Sequence, residues 1–226
     1  MPKARQLSVI AMACLAIVPR AVRAESRDFQ SITPAAEERA LSCLASAIAY
    51  EAGHEPLRGQ QAVAEVILNR ARNALFPKSV CGVVFEGSTR RTGCQFSFTC
   101  DGSLRHKMSD AVMLAATDVA RSALEGQLIP QVAGATHYHA DYVSPYWAPG
   151  FIRIAQIGRH IFYRMPGARD LGSFPGLPWG AVEPDIPSLR PIPGQGAKSL
   201  IAPGQGKISP PQPAPFAPWG LTIQSH

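Results

Sequence analysis

The chain contains 226 residues, 46% of them hydrophobic, which is enough for one well-packed domain and short for two. Its 22 basic and 16 acidic residues give a formal net charge of +6. Lys and Arg form no run interleaved with aromatic residues, so the sequence gives little support for a nucleic-acid-binding function.

The first 24 residues have the features of a secretory signal peptide. Lys3 and Arg5 form a positive start, and an uncharged run from Leu7 to Val18 is too short to span a bilayer comfortably. Small residues at the third-last and last positions then favour cleavage after Ala24. We therefore expect export to the periplasm, the cell envelope or the extracellular space; an uncleaved membrane anchor is the alternative.

Removal of this leader lowers the excess of positive charge. It carries four basic residues and no acidic one, so 18 basic and 16 acidic residues remain, with a net charge of +2. Such a weak positive charge is compatible with an acidic polymer as the binding partner, but it does not identify one.

The first predicted helix begins at Thr33-Pro34, with Thr33 as the N-cap and Pro34 in the first helical position. An apolar stripe follows, formed by Leu41, Leu44 and Ile48. The helix is predicted to end around 52–53, where a glycine can adopt a left-handed cap.

Two further helices are predicted. One begins at Pro56 and runs to about Asn73. The other covers 107–124 and ends before Gly126. The residues expected to face inward are Val63, Val66 and Ile67 in the former, and Ala111, Leu114, Ala115, Val119 and Ala120 in the latter.

Short strands follow the helices. Ala135–Ala140 and Gly158–Arg164 are rich in aromatic residues and Ile, which favours strands, and a link punctuated by proline and glycine joins them. A chain in which the helices come first and a small sheet follows has an α+β pattern. We expect one domain over 25–164.

Residues 165–226 differ in composition from this domain. They contain 13 of the 21 prolines and the sequence Pro-Gly-Gln-Gly twice, at 193–196 and 203–206. Such a segment buries too little apolar surface to fold alone, so we predict a disordered, proline-rich tail. A spacer or a strip that contacts the cell wall or an envelope protein is the alternative.

Four cysteines remain after the leader, which in an exported chain favours two disulfides over a zinc site. Cys94 and Cys100 flank a short segment and are expected to close a loop, which leaves Cys43 to pair with Cys81. The C-x-x-C spacing that would favour a zinc site is absent from the sequence.

Glu51 is the candidate catalytic acid. It lies at the C-terminal end of the first predicted helix, where the negative end of the helix dipole and partial burial would both raise its pKa. A carboxylic acid that stays protonated near neutral pH can protonate the leaving oxygen of a glycosidic bond. The alternative is a solvated helix-end glutamate.

Two nearby glutamates do not form a clear catalytic pair with Glu51. Glu55 precedes Pro56 and is expected to bind backbone amides at the start of the second helix. Glu65 lies in the middle of that helix and is expected to be a surface charge.

Polar and aromatic side chains later in the chain are candidate substrate ligands. Gln95 and Ser97 lie inside the Cys94–Cys100 loop and could hydrogen-bond a sugar, although a purely structural loop is an equal alternative. His137 and His139 share one side of a strand. With His160 they could hold zinc, but the H-E-x-x-H spacing is absent, which favours a polar groove that binds substrate.

The chain also resembles the SleB-type cell wall hydrolases, the group that contains the spore cortex-lytic enzymes. The resemblance covers about residues 40–164. It rests on six ordered motifs: 43–52 with Tyr50-Glu51-Ala52, 59–70, 76–81 with Phe76-Pro77-Lys78-Ser79-Val80-Cys81, 94–102, Ala135-Thr136-His137-Tyr138-His139-Ala140, and 157–163.

The resemblance implies a lysozyme-like α+β domain that cleaves peptidoglycan between N-acetylmuramic acid and N-acetylglucosamine. The catalytic acid of the family corresponds to Glu51, and His137, Tyr138 and His139 fall in a motif expected to bind substrate. A single essential glutamate is typical of lytic transglycosylases, so the resemblance implies lytic transglycosylase chemistry or, failing that, hydrolysis by a muramidase. Neither reaction is expected to need a cofactor or a metal. A non-catalytic peptidoglycan-binding protein and a zinc-dependent wall amidase or peptidase are the alternatives. The order Gly53-His54-Glu55 departs from the family pattern beside Glu51.

Overall fold

The computed structural model describes residues 33–90, 93–167 and 182–189. The predicted leader and most of the proline-rich tail lie outside these residues. Within them, four α-helices precede a three-stranded antiparallel sheet, which confirms the α+β class with a small late sheet. None of the helices in these ranges combines the length and the apolarity needed to cross a bilayer.

Helix α1 (Pro34–Ala52) is the central helix of the domain. Its start is as predicted, because the Thr33 hydroxyl accepts a hydrogen bond from the Ala36 amide across 3.3 Å and Pro34 occupies the first turn. Residues 40–49 are all buried, as expected for a helix surrounded by other elements. It packs against α2 (Leu57–Arg72), α3 (Val80–Val84) and α4 (Asp110–Leu124).

Gly53 ends α1, but the predicted left-handed cap is wrong. Its backbone is right-handed, with φ −60° and ψ −21°. The glycine is required by close packing instead, since a Cβ at this position would lie 2.6 Å from Cγ1 of Val112 on α4. A missing side chain therefore lets α4 approach the end of the helix that carries Glu51.

The remaining helices match the predictions in position but not fully in orientation. Helix α2 follows Pro56 and ends before Asn73, as expected, whereas α3 was too short for a periodic pattern. In α4 the predicted inward residues Ala111, Leu114 and Ala115 are exposed. The buried face is formed by Ala116, Thr117, Val119, Ala120, Ala123 and Leu124. This alanine-rich sequence offers several apolar stripes, and packing against α1 selects one.

The sheet has the order β1-β3-β2, with β1 (His137–Ala140) and β2 (Ile152–Ile157) both antiparallel to β3 (His160–Arg164). Strands β1 and β3 are as predicted. Strand β2 lies in the segment that the sequence predicts as a link between them; none of its side chains is buried, and a register shift interrupts it between Arg153 and Ala155. Tyr138 pairs with Phe162 and His137 with Tyr163, so successive side chains face opposite sides of the sheet.

Both expected disulfides are present. Cys43 of α1 is bonded to Cys81 of α3, with a Cα–Cα distance of 5.2 Å, and Cys94 is bonded to Cys100 across a 6.4 Å Cα–Cα distance. The first joins two helices of the core, and the second closes a short loop. The pairing therefore fixes both a core contact and a loop.

The segment 182–189 corrects the prediction that the whole tail is disordered. Glu183 is 3% exposed, and its two carboxylate oxygens accept hydrogen bonds from the Val80 and Cys81 amides at 2.9 and 2.8 Å. Ile186 and Leu189 pack against the core. Composition alone missed this segment because a few anchoring residues suffice to dock a proline-rich stretch.

Candidate active site

Glu51 lies in the last turn of α1, two residues after the buried run 40–49. It is partly buried, and this desolvation raises the pKa of its carboxyl group above the ordinary value. The charge of Asp101 acts in the same direction, whereas the Arg70 charge and a hydrogen bond from Tyr138 act against it. The net effect keeps Glu51 protonated at a higher pH than a free glutamate.

Tyr138 reaches Glu51 from the sheet. Its hydroxyl donates a hydrogen bond to Oε2 of Glu51 across 3.0 Å. Burial, followed by the Glu51 charge, raises the pKa of Tyr138 well above its ordinary value, so the phenol remains a donor. The T-shaped contact with His160, at 5.0 Å between ring centroids, and the ring of Phe162 hold Tyr138 on this face.

Arg70 is a site residue that the sequence analysis did not single out. It is 4% exposed on α2, and its Nε donates to the Thr136 carbonyl across 2.7 Å. Its guanidinium also lies over the rings of Phe76 and Phe96, at 5.5 and 5.4 Å from their centroids. Burial lowers the pKa of Arg70, but it remains a cation at neutral pH.

A signal for Arg70 is present in the sequence. The residues Val63, Val66, Ile67 and Arg70 follow the spacing i, i+3, i+4, i+7, so an arginine continues the apolar stripe of α2. A charge at a core-facing position is rare unless it is paired, and such a residue is a candidate for a site.

Gln95 supports Arg70 from the disulfide-closed loop. In the amide orientation that satisfies its neighbours, its side-chain oxygen accepts hydrogen bonds from both terminal nitrogens of Arg70, at 3.0 and 3.3 Å. The loop is further fixed because the Phe98 ring stacks parallel to the Tyr50 ring, with 4.8 Å between the two ring centroids. Gln95 therefore acts here as a support for Arg70, and its predicted contact with substrate stays a prediction.

Ser97 lies within this loop, and Asp101 directly follows it. Ser97 is exposed, and hydrogen bonds from Ser103 and then Ser97 lower the pKa of Asp101. Asp101 also accepts from the Ser103 amide at 2.8 Å. The negative charge of Asp101 therefore persists to low pH and acts on Glu51 nearby.

The predicted histidine ligands lie on the opposite face of β1 from Tyr138. His137 meets the ring of Phe151 at 4.6 Å, and burial, with the Arg70 charge, lowers the pKa of His137 to about 4. Both ring nitrogens of His139 are engaged, with the Ala140 carbonyl at 2.9 Å and the Tyr163 hydroxyl at 3.0 Å. The structure therefore joins Tyr138, but not His137 or His139, directly to Glu51.

The three histidines do not form a metal-ligand set. His160 faces Tyr138, on the side of the sheet away from His137 and His139. In the ranges that the structure describes, no three His, Cys, Asp or Glu side chains come together as they would around a metal ion.

The two other glutamates lie in positions that differ from the predictions. Glu55 accepts from a backbone amide at 3.1 Å, but that of Arg159 in the β2–β3 turn rather than at the start of α2. Glu65 is 2% exposed, not a surface charge, and its Oε2 accepts from the Gln131 and Val132 amides at 2.6 and 3.0 Å. Both carboxylates hold loops and are not directed at Glu51.

Comparison with known proteins gives the family of this domain. Residues 54–163 match the family model of the cell wall hydrolases. The chain is 35% identical over 119 residues to the spore cortex-lytic enzyme of Bacillus subtilis (strain 168), and this match covers 53% of the chain and 35% of that enzyme. The domain belongs to the SleB-type cell wall hydrolases. This family membership confirms the resemblance seen in the sequence.

Two further similarities are found. The spore cortex-lytic enzyme of Oceanobacillus iheyensis is 35% identical over 122 residues, which are 54% of this chain and 40% of that enzyme. The catalytic domain of Bacillus cereus SleB is 31% identical, with a TM-score of 0.44, and the match covers 56% of this chain and 90% of that domain.

This cell wall hydrolase domain matches only part of each of the two spore cortex-lytic enzymes. The chain spans only about a third of the length of the Bacillus subtilis enzyme. The family-model match begins at His54, so it includes Arg70, Gln95 and Tyr138 but not Glu51. The role of Glu51 therefore depends on the geometry described above.

Proposed function

We propose that this domain cleaves the glycan strands of peptidoglycan between N-acetylmuramic acid and N-acetylglucosamine, by lytic transglycosylase chemistry with Glu51 as the acid and then the base. The observation that carries the proposal is the partly buried Glu51 carboxyl, whose pKa is raised and which accepts a hydrogen bond from Tyr138. The cell wall hydrolase family supports the substrate class.

The first step transfers a proton from Glu51. The protonated carboxyl donates to the glycosidic oxygen, the bond from that oxygen to the anomeric carbon breaks, and N-acetylglucosamine leaves with a free hydroxyl. Glu51 is then a carboxylate. The Tyr138 hydroxyl and the positive charge of Arg70 both stabilise that anion, since each favours the ionised form of the carboxyl.

The second step returns a proton to Glu51. The carboxylate accepts the proton of the 6-hydroxyl of the muramic acid, and the oxygen of that hydroxyl bonds to the anomeric carbon. The product is a 1,6-anhydro end, and Glu51 is protonated again. One carboxyl group is sufficient for this sequence, which agrees with the orientation of Glu55 and Glu65 toward loop amides.

Asp101 supports a second candidate, hydrolysis by a muramidase. Its charge raises the pKa of Glu51, so it is a carboxylate within electrostatic reach of the proposed acid. Hydrogen bonds from Ser103 and Ser97 lower the pKa of Asp101 and keep it ionised, as a second carboxylate in a glycosidase must be. In this reaction water, rather than the 6-hydroxyl, would attack the anomeric carbon.

The products distinguish the two reactions. Purified sacculi are digested with the full chain, and the muropeptides are analysed by mass spectrometry. Anhydro ends support the transglycosylase, and reducing ends, which are heavier by one water, support the muramidase. Asp101→Asn then acts as the matched test: it should leave an anhydro-producing enzyme active and should abolish a two-carboxylate hydrolysis.

We also infer that the protein acts outside the cytoplasm. The two disulfides support this inference, because disulfides persist in oxidising compartments. Localisation of a C-terminally tagged chain by cell fractionation tests it, and recovery in the cytoplasmic fraction with reduced cysteines would contradict it.

A further inference from the structure

A group of aromatic rings covers the outer face of the sheet, which is the face opposite Tyr138. We call it the outer aromatic cluster; it consists of Phe76, His137, His139, Trp147, Phe151 and Tyr163. Trp147 and Phe151 come from the β1–β2 link and fold back over the strands. All members except Tyr163 are only partly buried, so the cluster is a surface feature and not a second core.

Trp147 stands at the centre of this cluster in a distinctive orientation. Its ring meets those of His139, Phe151 and Tyr163 at 74°, 77° and 88°, and that of His137 at 57°. None of these contacts is face to face. A partly exposed indole whose faces are not covered by a parallel ring among the described residues is suited to stack on a flat apolar ligand surface.

His137 contributes no charge to the cluster at neutral pH. Burial lowers the pKa of His137 to about 4, so this ring is neutral. His139 is held between the Ala140 carbonyl and the Tyr163 hydroxyl, at 2.9 and 3.0 Å from its two ring nitrogens. No member of the cluster is an Asp, Glu, Lys or Arg, so the surface offers a ligand ring contacts rather than ion pairs.

The cluster is continuous with the Glu51 site. The Phe76 ring centroid lies 5.5 Å from the Arg70 guanidinium carbon on one side and 6.2 Å from the His137 ring on the other. Arg70 acts electrostatically on both Glu51 and His137. Phe76 therefore links the cluster to Arg70, whose charge acts on Glu51.

We propose that the outer aromatic cluster is a sugar-binding platform, on which Trp147 and Phe151 stack against pyranose rings of the glycan strand at positions beyond the cleaved bond. A glycan of N-acetylated sugars offers the uncharged, flat C–H faces that such rings bind. This inference depends on the proposed function for the identity of the strand. The platform holds the polymer and takes no part in proton transfer.

The experiment measures binding separately from cleavage. All variants are made in the full chain carrying Glu51→Gln, and their affinity for purified sacculi is measured by co-sedimentation. Trp147→Ala and Phe151→Ala should each weaken binding about tenfold, and Trp147→Phe, which keeps an aromatic ring, should weaken it by about threefold. Titration with soluble N-acetylglucosamine oligosaccharides, followed by tryptophan fluorescence, should give the same order of affinities.

Tyr142→Ala is the matched control. This ring is 75% exposed, and its described partner is the Arg159 guanidinium, 5.1 Å from the ring centroid, rather than the cluster. The control should bind sacculi as the parent does. Circular dichroism and thermal melting identify folded variants, and if Trp147→Ala does not fold, Trp147→Phe and Phe151→Ala decide the result.

Three outcomes would overturn the platform. One is unchanged affinity in folded Trp147 and Phe151 variants, another is an equal loss in Tyr142→Ala, and the third is a change in oligomeric state with no change in affinity, which would make the cluster a contact between copies. Failure of the proposed function gives a different result, because the Glu51→Gln chain would then still release muropeptides. The affinities would still test the cluster in that case, since they are measured at low temperature, where cleavage is slow.

Discussion

The Tyr138 hydroxyl lies 3.0 Å from Oε2 of Glu51 and joins the first strand of the sheet to the last turn of the central helix. These residues are 87 positions apart in the sequence. The hydrogen bond favours the ionised carboxylate, whereas burial favours the protonated acid. Because burial is the larger effect, Glu51 is a weak acid whose conjugate base is nevertheless stabilised once the proton has left.

Tyr138→Phe should lower kcat about tenfold, because it removes a hydrogen bond that favours the carboxylate formed when the proton is transferred. Its effect on pH dependence has a definite sign. Without the donor the pKa of Glu51 rises further, so the loss of activity at alkaline pH should shift to higher pH. The pH profile of kcat/KM on solubilised glycan strands measures both effects.

Tyr142→Phe is the control for this substitution, since Tyr142 is exposed and should tolerate loss of its hydroxyl with no change in rate or profile. A pH profile of Tyr138→Phe that coincides with that of the parent enzyme would show that the hydrogen bond has no role in setting the acidity of Glu51.

Arg70→Lys should both destabilise the domain and impair catalysis. Lysine cannot reproduce the contacts of the guanidinium with the Thr136 carbonyl and the Gln95 side chain. We expect a loss of about 2–3 kcal/mol in the free energy of unfolding, since buried polar partners remain unsatisfied. Urea denaturation measures it. Arg58→Lys, on the exposed surface of the same helix, should change stability little, and equal effects of the two substitutions would contradict the role of Arg70.

The two disulfides should differ in what their removal costs. Cys43→Ser with Cys81→Ser opens a loop of 38 residues and should cost about 4 kcal/mol, against about 2 kcal/mol for Cys94→Ser with Cys100→Ser, whose separation is 6. At a temperature where both variants are folded, the variant without the Cys94–Cys100 disulfide should nevertheless lose more activity. The reason is that this loop supports Arg70 through Gln95. Melting temperatures and initial rates give the comparison, and the reverse order of activities would be inconsistent with a positioning role for the loop.

Glu183→Ala should destabilise the domain by about 2 kcal/mol, although this residue lies in the proline-rich tail. The substitution leaves the Val80 and Cys81 amides without the carboxylate that now accepts from both. Asp185→Ala, at an exposed position two residues later, is the control and should have little effect on the melting temperature. If both variants melt like the parent, the segment 182–189 does not contribute to the stability of the domain.

Local signals were sufficient to predict much of the fold from the sequence. The start of α1 follows from Thr33 and Pro34, whose capping chemistry is local, and the strands β1 and β3 follow from their composition. The buried face of α4 could not be predicted, because an alanine-rich helix has no single apolar stripe and the tertiary contact with α1 selects one. Gly53 was identified as the end of α1, but for the wrong reason, since its backbone is right-handed and close packing excludes a side chain.

Prediction of the site was limited by long-range contacts. The helix end and the family resemblance identify Glu51, but the groups that act on it are Arg70 of α2, Asp101 after the disulfide loop and Tyr138 of β1. Arg70 could have been found from its place on an apolar stripe, whereas the burial of Glu65 depends on the amides of a loop 66 and 67 residues later. Such pairings are not encoded in a local pattern.

The most direct test of the proposed function is the release of soluble muropeptides from purified sacculi by the Glu51→Gln chain. Glutamine fills nearly the same volume and removes a group that is costly to ionise when buried, so the variant should melt no lower than the parent at neutral pH. We predict that it still binds sacculi and that release of muropeptides falls at least about a thousandfold, because the proton donor is lost. A folded Glu51→Gln variant that releases muropeptides at the parent rate would contradict the assignment of Glu51 as the acid.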